Sequence, residues 1–231
     1  MVVELDVFSA TSAIMLLATG VFVVWYLQSS QKPQSYLLLP AITGIAGVLY
    51  LIMALSSAGT IGSDVIVEAR YLDWLLTTPL IVAYIGLTAG AGKRLIGKAM
   101  AADVLMIAAG YVATSFSGAA RWAGFTVSML AFVYLLYLLV TKITAVAGDR
   151  PPAVQSTFRT IRDLTIVLWC VYPILWLIGP FGFGLVRFAD YHFVIASLDL
   201  TAKVGFDAIV AARAARVSTM LEDQTFSGTV N

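Results

Sequence analysis

Four ionisable residues stand inside long apolar stretches of the sequence, where a charge is costly and is a functional hypothesis by default. Arg70 and Asp73 lie in the third stretch; Asp199 and Lys203 lie in the seventh, four residues apart and therefore on one helix face. Two positive and two negative charges can form a neutral buried cluster. Such a cluster could be a structural network that holds two helices together. The alternative is chemical, because a buried lysine can form a Schiff base with an aldehyde and buried carboxylates can serve as counter-ions.

The composition places these residues in a membrane protein. Hydrophobic residues make up 60% of the 231-residue chain and charged residues 12%, whereas a soluble domain carries about 25% charged residues. The single cysteine excludes an internal disulfide framework and a cysteine-based metal cluster, and we expect no metal site. The net charge of +1 gives no general attraction for nucleic acid, so no nucleic-acid partner is expected.

Seven apolar runs separated by polar breaks predict an all-α membrane protein, a seven-transmembrane-helix bundle. Residues 1–216 would form one domain and residues 217–231 a flexible cytoplasmic tail. The runs cover about residues 8–27, 36–55, 67–87, 96–116, 122–146, 161–178 and 188–210.

The distribution of basic residues predicts how the bundle is oriented. Ten of the 14 Lys and Arg residues fall on the side of the bundle that holds the C-terminus. The positive-inside rule then predicts a cytoplasmic C-terminus and an extracellular N-terminus. The ten residues are Lys32, Lys93, Arg94, Lys98, Lys142, Arg150, Arg159, Arg162, Arg213 and Arg216.

Three sequence motifs resemble those of microbial (type 1) rhodopsins. Residues 70–80 (RYLDWLLTTPL) resemble the third helix of that family, residues 167–176 (VLWCVYPILW) the sixth, and residues 198–206 (LDLTAKVGF) the retinal-binding seventh. The resemblance covers about residues 5–216 and is strongest to the haloarchaeal branch that includes bacteriorhodopsin, sensory rhodopsin II and the middle rhodopsins. It implies a retinal protein, not an enzyme, that crosses an archaeal plasma membrane several times.

The resemblance also implies a role for each member of the charged cluster. Lys203 would carry all-trans retinal as a protonated Schiff base, and Asp73 would be the primary counter-ion that accepts its proton after photoisomerisation. Asp199 would be the second counter-ion. The residues that would hold or tune these carboxylates are Arg70, Tyr50 and Tyr172. The retinal pocket would be formed by Trp74, Thr77, Thr78, Met106, Gly110, Phe125, Ser128, Trp169 and Trp176. Ordinary packing or interface anchoring is the alternative for the aromatic members.

The family contains sensors and pumps, and the fold alone does not decide between them. In the pump pattern, a carboxyl eleven residues after the acceptor returns a proton from the cytoplasmic side. Here that position is Tyr84, and a phenol with an unperturbed pKa of about 10 donates poorly. The positions of the pump's release-group glutamates hold Phe181 and Tyr191. These departures predict a slow photocycle, which suits a photoreceptor that signals to a membrane transducer.

The sensor pattern is also incomplete, because Ala202 and Ser197 differ from the residues that sensory rhodopsin II usually has. A weak light-driven outward proton pump is therefore the alternative function. Besides the lipid bilayer and a transducer, the resemblance suggests a homo-oligomer, and a trimer in particular.

Three further residues have two interpretations each. Asp207, where relatives commonly have glycine, could act with Tyr84 on the cytoplasmic side as a substitute proton donor, or could pair with cytoplasmic arginines. Asp103 could be a protonated carboxyl near the retinal ring or a hydrogen-bonded structural acid. His192, at the outer start of the seventh run, is expected to be a surface or loop-bonded histidine rather than a proton-release or anion site.

Overall fold

The computed structural model describes residues 2–29, 33–62 and 65–214. Within these ranges the chain is all-helical and contains no strand, and its seven long helices confirm the predicted bundle. Lys32, Arg216 and the predicted tail 217–231 lie outside the described residues. The helices are α1 (Val2–Gln28), α2 (Leu38–Ser57, after a 3₁₀ turn at Gln34–Leu37), α3 (Val65–Ala89), α4 (Lys93–Ser115), α5 (Gly118–Ala147), α6 (Pro152–Ile178) and α7 (Phe188–Leu200, continued to 214).

The helices have the length and surface that a bilayer requires. Among the described residues, α1 to α6 form six segments of 23 to 30 residues that are apolar enough to cross a membrane. Even 23 residues span about 35 Å, more than the hydrocarbon core of about 30 Å. Large apolar side chains face outward, for example Leu17, Leu130 and Val133, each more than 60% exposed. This surface is suited to lipid, because soluble proteins rarely expose so much contiguous apolar area to water.

Neighbouring helices pack in chain order, and the ends of the series meet. α1 packs on α2, α2 on α3, α3 on α4 and α4 on α5, while α1 also contacts α7 and α3 contacts α6. α3 thus lies against α2, α4 and α6. This central position brings its polar residues towards those of α7.

Local irregularities occur in the helices that carry the candidate site. α7 contains a π-helical turn at Thr201–Gly205, which includes Lys203. α6 is interrupted at Cys170, three residues before Pro173; proline cannot donate the backbone hydrogen bond of a regular helix. π-turns inside α-helices often occur at functional sites, because they re-aim a side chain.

α6 begins nine residues before the predicted start of the sixth apolar run. The apolar run begins near Ile161, but α6 begins at Pro152, directly after Pro151. Proline is well tolerated at the first helical position, where its missing N–H would have no partner anyway. The first turns of α6 are polar on one face, so a search for apolar length alone overlooks them.

Candidate functional site

The buried amine of Lys203 lies between two carboxylates. Its Nζ donates a hydrogen bond to Oδ2 of Asp73 at 2.8 Å and lies 3.6 Å from Oδ1 of Asp199. The exposed fraction of all three side chains is 2% or less. A buried charge is tolerated when it is paired and hydrogen-bonded. The two carboxylates satisfy this condition for Lys203.

Asp199 is held by three hydrogen-bond donors from other helices. Tyr50 on α2 donates to its Oδ2 and Tyr172 on α6 donates to its Oδ1, both at 2.6 Å. The indole N–H of Trp74 on α3 lies 3.1 Å and 3.3 Å from the two oxygens. Both oxygens of Asp199 are therefore occupied by neutral donors as well as by the nearby amine, and its position is fixed by three helices.

Asp73 has fewer partners. Thr77, one turn further along α3, donates to the backbone carbonyl of Asp73 at 2.7 Å and lies 3.2 Å from its Oδ1. Oδ2 of Asp73 receives the hydrogen bond from Lys203. Thr77 thus orients the carboxylate that contacts the amine.

Arg70 is buried on the same helix but makes no ion pair with the carboxylates among the described residues. Its guanidinium carbon lies 5.7 Å from the ring centre of Phe8, and Nη2 lies 3.9 Å from the sulfur of Met53. Nε and Nη1 have no hydrogen-bond partner among the residues that the structure describes. The expected four-charge cluster is therefore a three-residue cluster in direct contact, with Arg70 acting on it only through space.

An apolar cavity extends from Lys203 between α3, α4, α5, α6 and α7. Of the predicted pocket residues, all but Thr77 line this cavity, as does Tyr172. The predicted residues on its wall are Trp74, Thr78, Met106, Gly110, Phe125, Ser128, Trp169 and Trp176. The sequence analysis did not single out Tyr71, Ile81, Ile107, Met129, Phe132, Pro173, Tyr191 or Ala202 as pocket residues, although they also line it.

Hydrogen bonds and ring contacts hold the far wall of the cavity. Thr114 accepts a 2.9 Å hydrogen bond from the Trp176 indole and shares a 2.6 Å hydrogen bond with the Tyr71 hydroxyl. The ring of Phe125 stacks on Trp176 with centres 4.6 Å apart. Sequence reasoning missed Thr114 entirely. Tyr71 could have been found, because it lies three residues before Trp74 in the motif of α3 and so shares its face.

Asp103 and Ser128 fasten neighbouring helices beside the cavity. Thr78 donates a hydrogen bond to Oδ2 of Asp103 at 2.8 Å, which joins α3 to α4. The hydroxyl of Ser128 on α5 donates to the backbone carbonyl of Met106 on α4 at 2.8 Å. Asp103 is fully buried. The hydrogen bond from Thr78 is compatible with both interpretations of Asp103, a protonated carboxyl near the retinal ring and a hydrogen-bonded structural acid.

Two expectations from the sequence are wrong. His192 is buried, with its ring 5.3 Å from that of Phe8, because α7 begins at Phe188 and its first turn already packs into the bundle. Among the described residues, Asp207 is not paired with an arginine: it is fully buried, and neither of its oxygens has a hydrogen-bond partner there. Two arginines at the same end of the bundle have other partners. Arg213 donates to Ser156, and Arg162 pairs with Asp163.

The chemistry of the cavity suits a long apolar aldehyde. Its wall is mainly aromatic and aliphatic, its only lysine is Lys203, and that amine already has a carboxylate in contact. An imine formed at this nitrogen would carry a positive charge that Asp73 and Asp199 could balance. The residues present therefore fit retinal.

Comparison with known proteins agrees with this fit. Residues 5–217 match the model of the bacteriorhodopsin-like protein family. Sensory rhodopsin III of Haloarcula marismortui is 38% identical over 207 residues, which cover 88% of this chain and 89% of that protein. Bacteriorhodopsin-II of the same organism is 38% identical over 193 residues, 80% of this chain and 77% of that protein. The crystal structure of thermophilic rhodopsin from Rubrobacter xylanophilus is 37% identical, with a TM-score of 0.85 over 92% of this chain and 96% of that one.

The chain therefore belongs to the bacteriorhodopsin-like family of microbial rhodopsins. This membership makes it a retinal-type rhodopsin and a multi-pass protein of the plasma membrane. Its relatives carry the names of both sensory rhodopsins and bacteriorhodopsins, so the family does not separate signalling from transport.

Proposed function

We propose that this rhodopsin is a photoreceptor with a slow photocycle, in which the proton on Nζ of Lys203 passes to Asp73 after illumination. The observation that carries the proposal is the 2.8 Å hydrogen bond between Nζ of Lys203 and Oδ2 of Asp73 at the end of the apolar cavity. Bound to Lys203 as a protonated Schiff base, all-trans retinal would supply the visible absorption and the light-driven change of shape.

The hydrogen bonds indicate which carboxylate accepts the proton. Both oxygens of Asp199 already receive donors from Tyr50, Tyr172 and Trp74. Oδ2 of Asp73 has only the Lys203 amine. A proton transferred along this hydrogen bond moves less than 1 Å and neutralises both partners. Asp199 remains as the charge that keeps the site balanced.

A slow return of the proton is supported by the surroundings of Tyr84. Its side chain is buried and packs edge-on against Phe206, with ring centres 5.8 Å apart. A neutral phenol in an apolar contact is a poor acid at neutral pH. A long-lived deprotonated Lys203 would give a signalling partner time to respond.

The proposal includes an orientation and a partner. The basic side chains Lys93, Arg94, Arg150 and Arg213 lie at the end of the bundle where α3, α5 and α7 finish. The positive-inside rule supports a cytoplasmic position for that end. The N-terminus would then be extracellular. A membrane transducer would receive the signal, and the rhodopsin would form homo-oligomers, as trimers by resemblance. A second candidate, a weak outward proton pump, is favoured by the unpaired buried carboxyl of Asp207.

Light-driven pH change in a suspension of cells that express the rhodopsin tests the choice between these functions. The photoreceptor proposal predicts almost no sustained acidification, together with slow recovery of the dark absorption. Strong acidification that a protonophore abolishes would contradict it and would favour the pump. Lys203→Ala should remove the visible absorption, whereas Lys142→Ala, at an exposed lysine on α5, should retain it. Visible absorption in Lys203→Ala would overturn the retinal assignment.

A further inference from the structure

Two aspartates flank Lys203 on α7 and have opposite environments. Asp199 lies four residues before the lysine and receives hydrogen bonds from Tyr50, Tyr172 and Trp74. Asp207 lies four residues after it, is 0% exposed, and has two oxygens without a hydrogen-bond partner in residues 2–29, 33–62 and 65–214. Each aspartate is displaced along the helix axis by about 6 Å from the lysine. Titratable groups whose environments differ in this way commonly take opposite roles in proton transfer.

The environment of Asp207 favours a neutral carboxylic acid. Burying an ionised carboxylate without a partner costs far more than burying the protonated acid. The adjacent residue Phe206 belongs to the large apolar cluster that also contains Tyr84, Ile85 and Val210. Two arginines at this end of the bundle, Arg213 and Arg162, are bonded to Ser156 and Asp163. The neutral acid is therefore the favoured state of this buried side chain, about one turn along α7 from Lys203.

Tyr84 packs against Phe206, the residue next to Asp207, with ring centres 5.8 Å apart. Tyr84 extends from α3 and Asp207 from α7, so the two helices bring a phenol and a carboxyl to the same region of the bundle. A carboxyl is a far better proton donor than a phenol, since their unperturbed pKa values differ by about 6 units.

We propose that Asp207 is the internal proton donor that restores the proton on Nζ of Lys203 after Asp73 has taken one. The proposal rests on one step of the proposed function, the transfer from Nζ to Asp73, which the photoreceptor and the weak pump share. Uptake at Asp207 and release from Asp73 would move at most one proton per photocycle, so a slow photocycle keeps any acidification small. The O–H bond of the Asp207 carboxyl breaks, an N–H bond forms at Nζ, and a carboxylate remains. A proton from cytoplasmic water then restores the acid. No electron transfer is involved, and both carboxyls, Asp73 and Asp207, are back in their starting states once Asp73 has released its proton.

A flash experiment on the retinal-loaded protein separates this proposal from the one on which it rests. Formation of the deprotonated Nζ reports on Asp73, and its decay reports on Asp207. In Asp207→Asn we expect normal formation but at least tenfold slower decay at pH 8, with a rate that falls tenfold for each further pH unit, because protons must then come from solution. Asp207→Glu, which keeps a carboxyl, should decay faster than Asp207→Asn. Asp163→Asn, at an exposed acid near the same end, should decay like the native protein.

Azide, a small diffusible acid, distinguishes a proton donor from a structural residue. It should restore decay at the native rate in Asp207→Asn, since it can carry protons to Nζ. Unchanged decay in Asp207→Asn, or slow decay that azide does not accelerate, would overturn the proposal. Failure of Nζ to lose its proton in the native protein would instead refute the transfer to Asp73.

A second measurement needs no retinal. The infrared spectrum of the retinal-free native protein minus that of Asp207→Asn should contain the carbonyl band of a protonated carboxylic acid at pH 7. A carboxylate band in its place would overturn the proposal. If Asp207→Asn does not assemble, the same comparison with Asp207→Glu decides, because the acid band should then shift rather than disappear.

Discussion

Thr114→Val should loosen the far wall of the cavity while leaving its shape unchanged. The Thr114 hydroxyl bonds to two buried aromatic partners, the Tyr71 hydroxyl at 2.6 Å and the Trp176 indole at 2.9 Å. Valine has nearly the same volume as threonine but offers no hydroxyl. Both partners, which are less than 10% exposed, would lose this hydrogen bond.

The magnitude follows from these two hydrogen bonds. Side-chain hydrogen bonds between membrane helices contribute about 0.6 kcal/mol on average and about 1.7 kcal/mol at most. Two of them give a loss of about 1–3 kcal/mol in the free energy of unfolding. Because Trp176 also stacks on Phe125 in the cavity wall, a less rigid Trp176 should slow the binding of added retinal as well.

Denaturant titration of the retinal-free protein measures the first effect, and the rate of pigment formation after all-trans retinal is added measures the second. Thr126→Val is the matched control, since Thr126 is exposed and donates only to the Trp122 carbonyl of its own helix. If Thr114→Val and Thr126→Val had equal stability within about 0.5 kcal/mol, the inference that Thr114 fastens this wall would be refuted.

Three further perturbations follow from particular contacts. Asp73→Asn should leave Nζ of Lys203 protonated throughout the photocycle. The deprotonated Nζ is detected after a flash as a blue-shifted absorption, and if this absorption had the same amplitude as in the native protein, the role of Asp73 as acceptor would be contradicted. Gly124→Ala would place a Cβ 2.8 Å from a backbone nitrogen of α4 and should lower the free energy of unfolding by about 1–3 kcal/mol. Gly97→Ala is the control, because a Cβ at Gly97 would meet open space and should not lower this free energy. An equal loss of stability in both variants would exclude close packing as the cause. Tyr50→Phe removes one of the three donors to Asp199 and should lower the free energy of unfolding by about 0.5–2 kcal/mol in the same denaturant titration. An unchanged unfolding midpoint would argue against that hydrogen bond.

The helices were predictable because their signals are local. A run of about 20 apolar residues forms a membrane helix whatever its neighbours are, since each backbone polar group must be satisfied within the segment. Residues four apart share a helix face, so the stripe of Asp199, Lys203 and Asp207 could be seen in the sequence. The start of α6 was misplaced because its first turns are polar, and polar turns carry no apolar signal.

Contacts between helices could be predicted only through resemblance. Sequence spacing does not state how far α3 lies from α7 or how each helix is rotated. The tertiary structure decides that Lys203 lies 2.8 Å from Asp73 and 3.6 Å from Asp199, and that Arg70 pairs with neither. It also decides that α4 and α5 contribute Ile107 and Met129 to the cavity wall.

The sequence by itself determined that the chain crosses a membrane with seven helices and that a lysine and several carboxylates lie within it. Those properties depend on composition and helical period, which are readable along the chain. Only the tertiary structure decided the environments of Asp199 and Asp207. Both are aspartates one turn from the same lysine, yet within the described part of the chain Asp199 accepts from three donors on other helices and Asp207 from none. The stability of a charge depends on the atoms around it, and in a helical bundle most of those atoms belong to other helices.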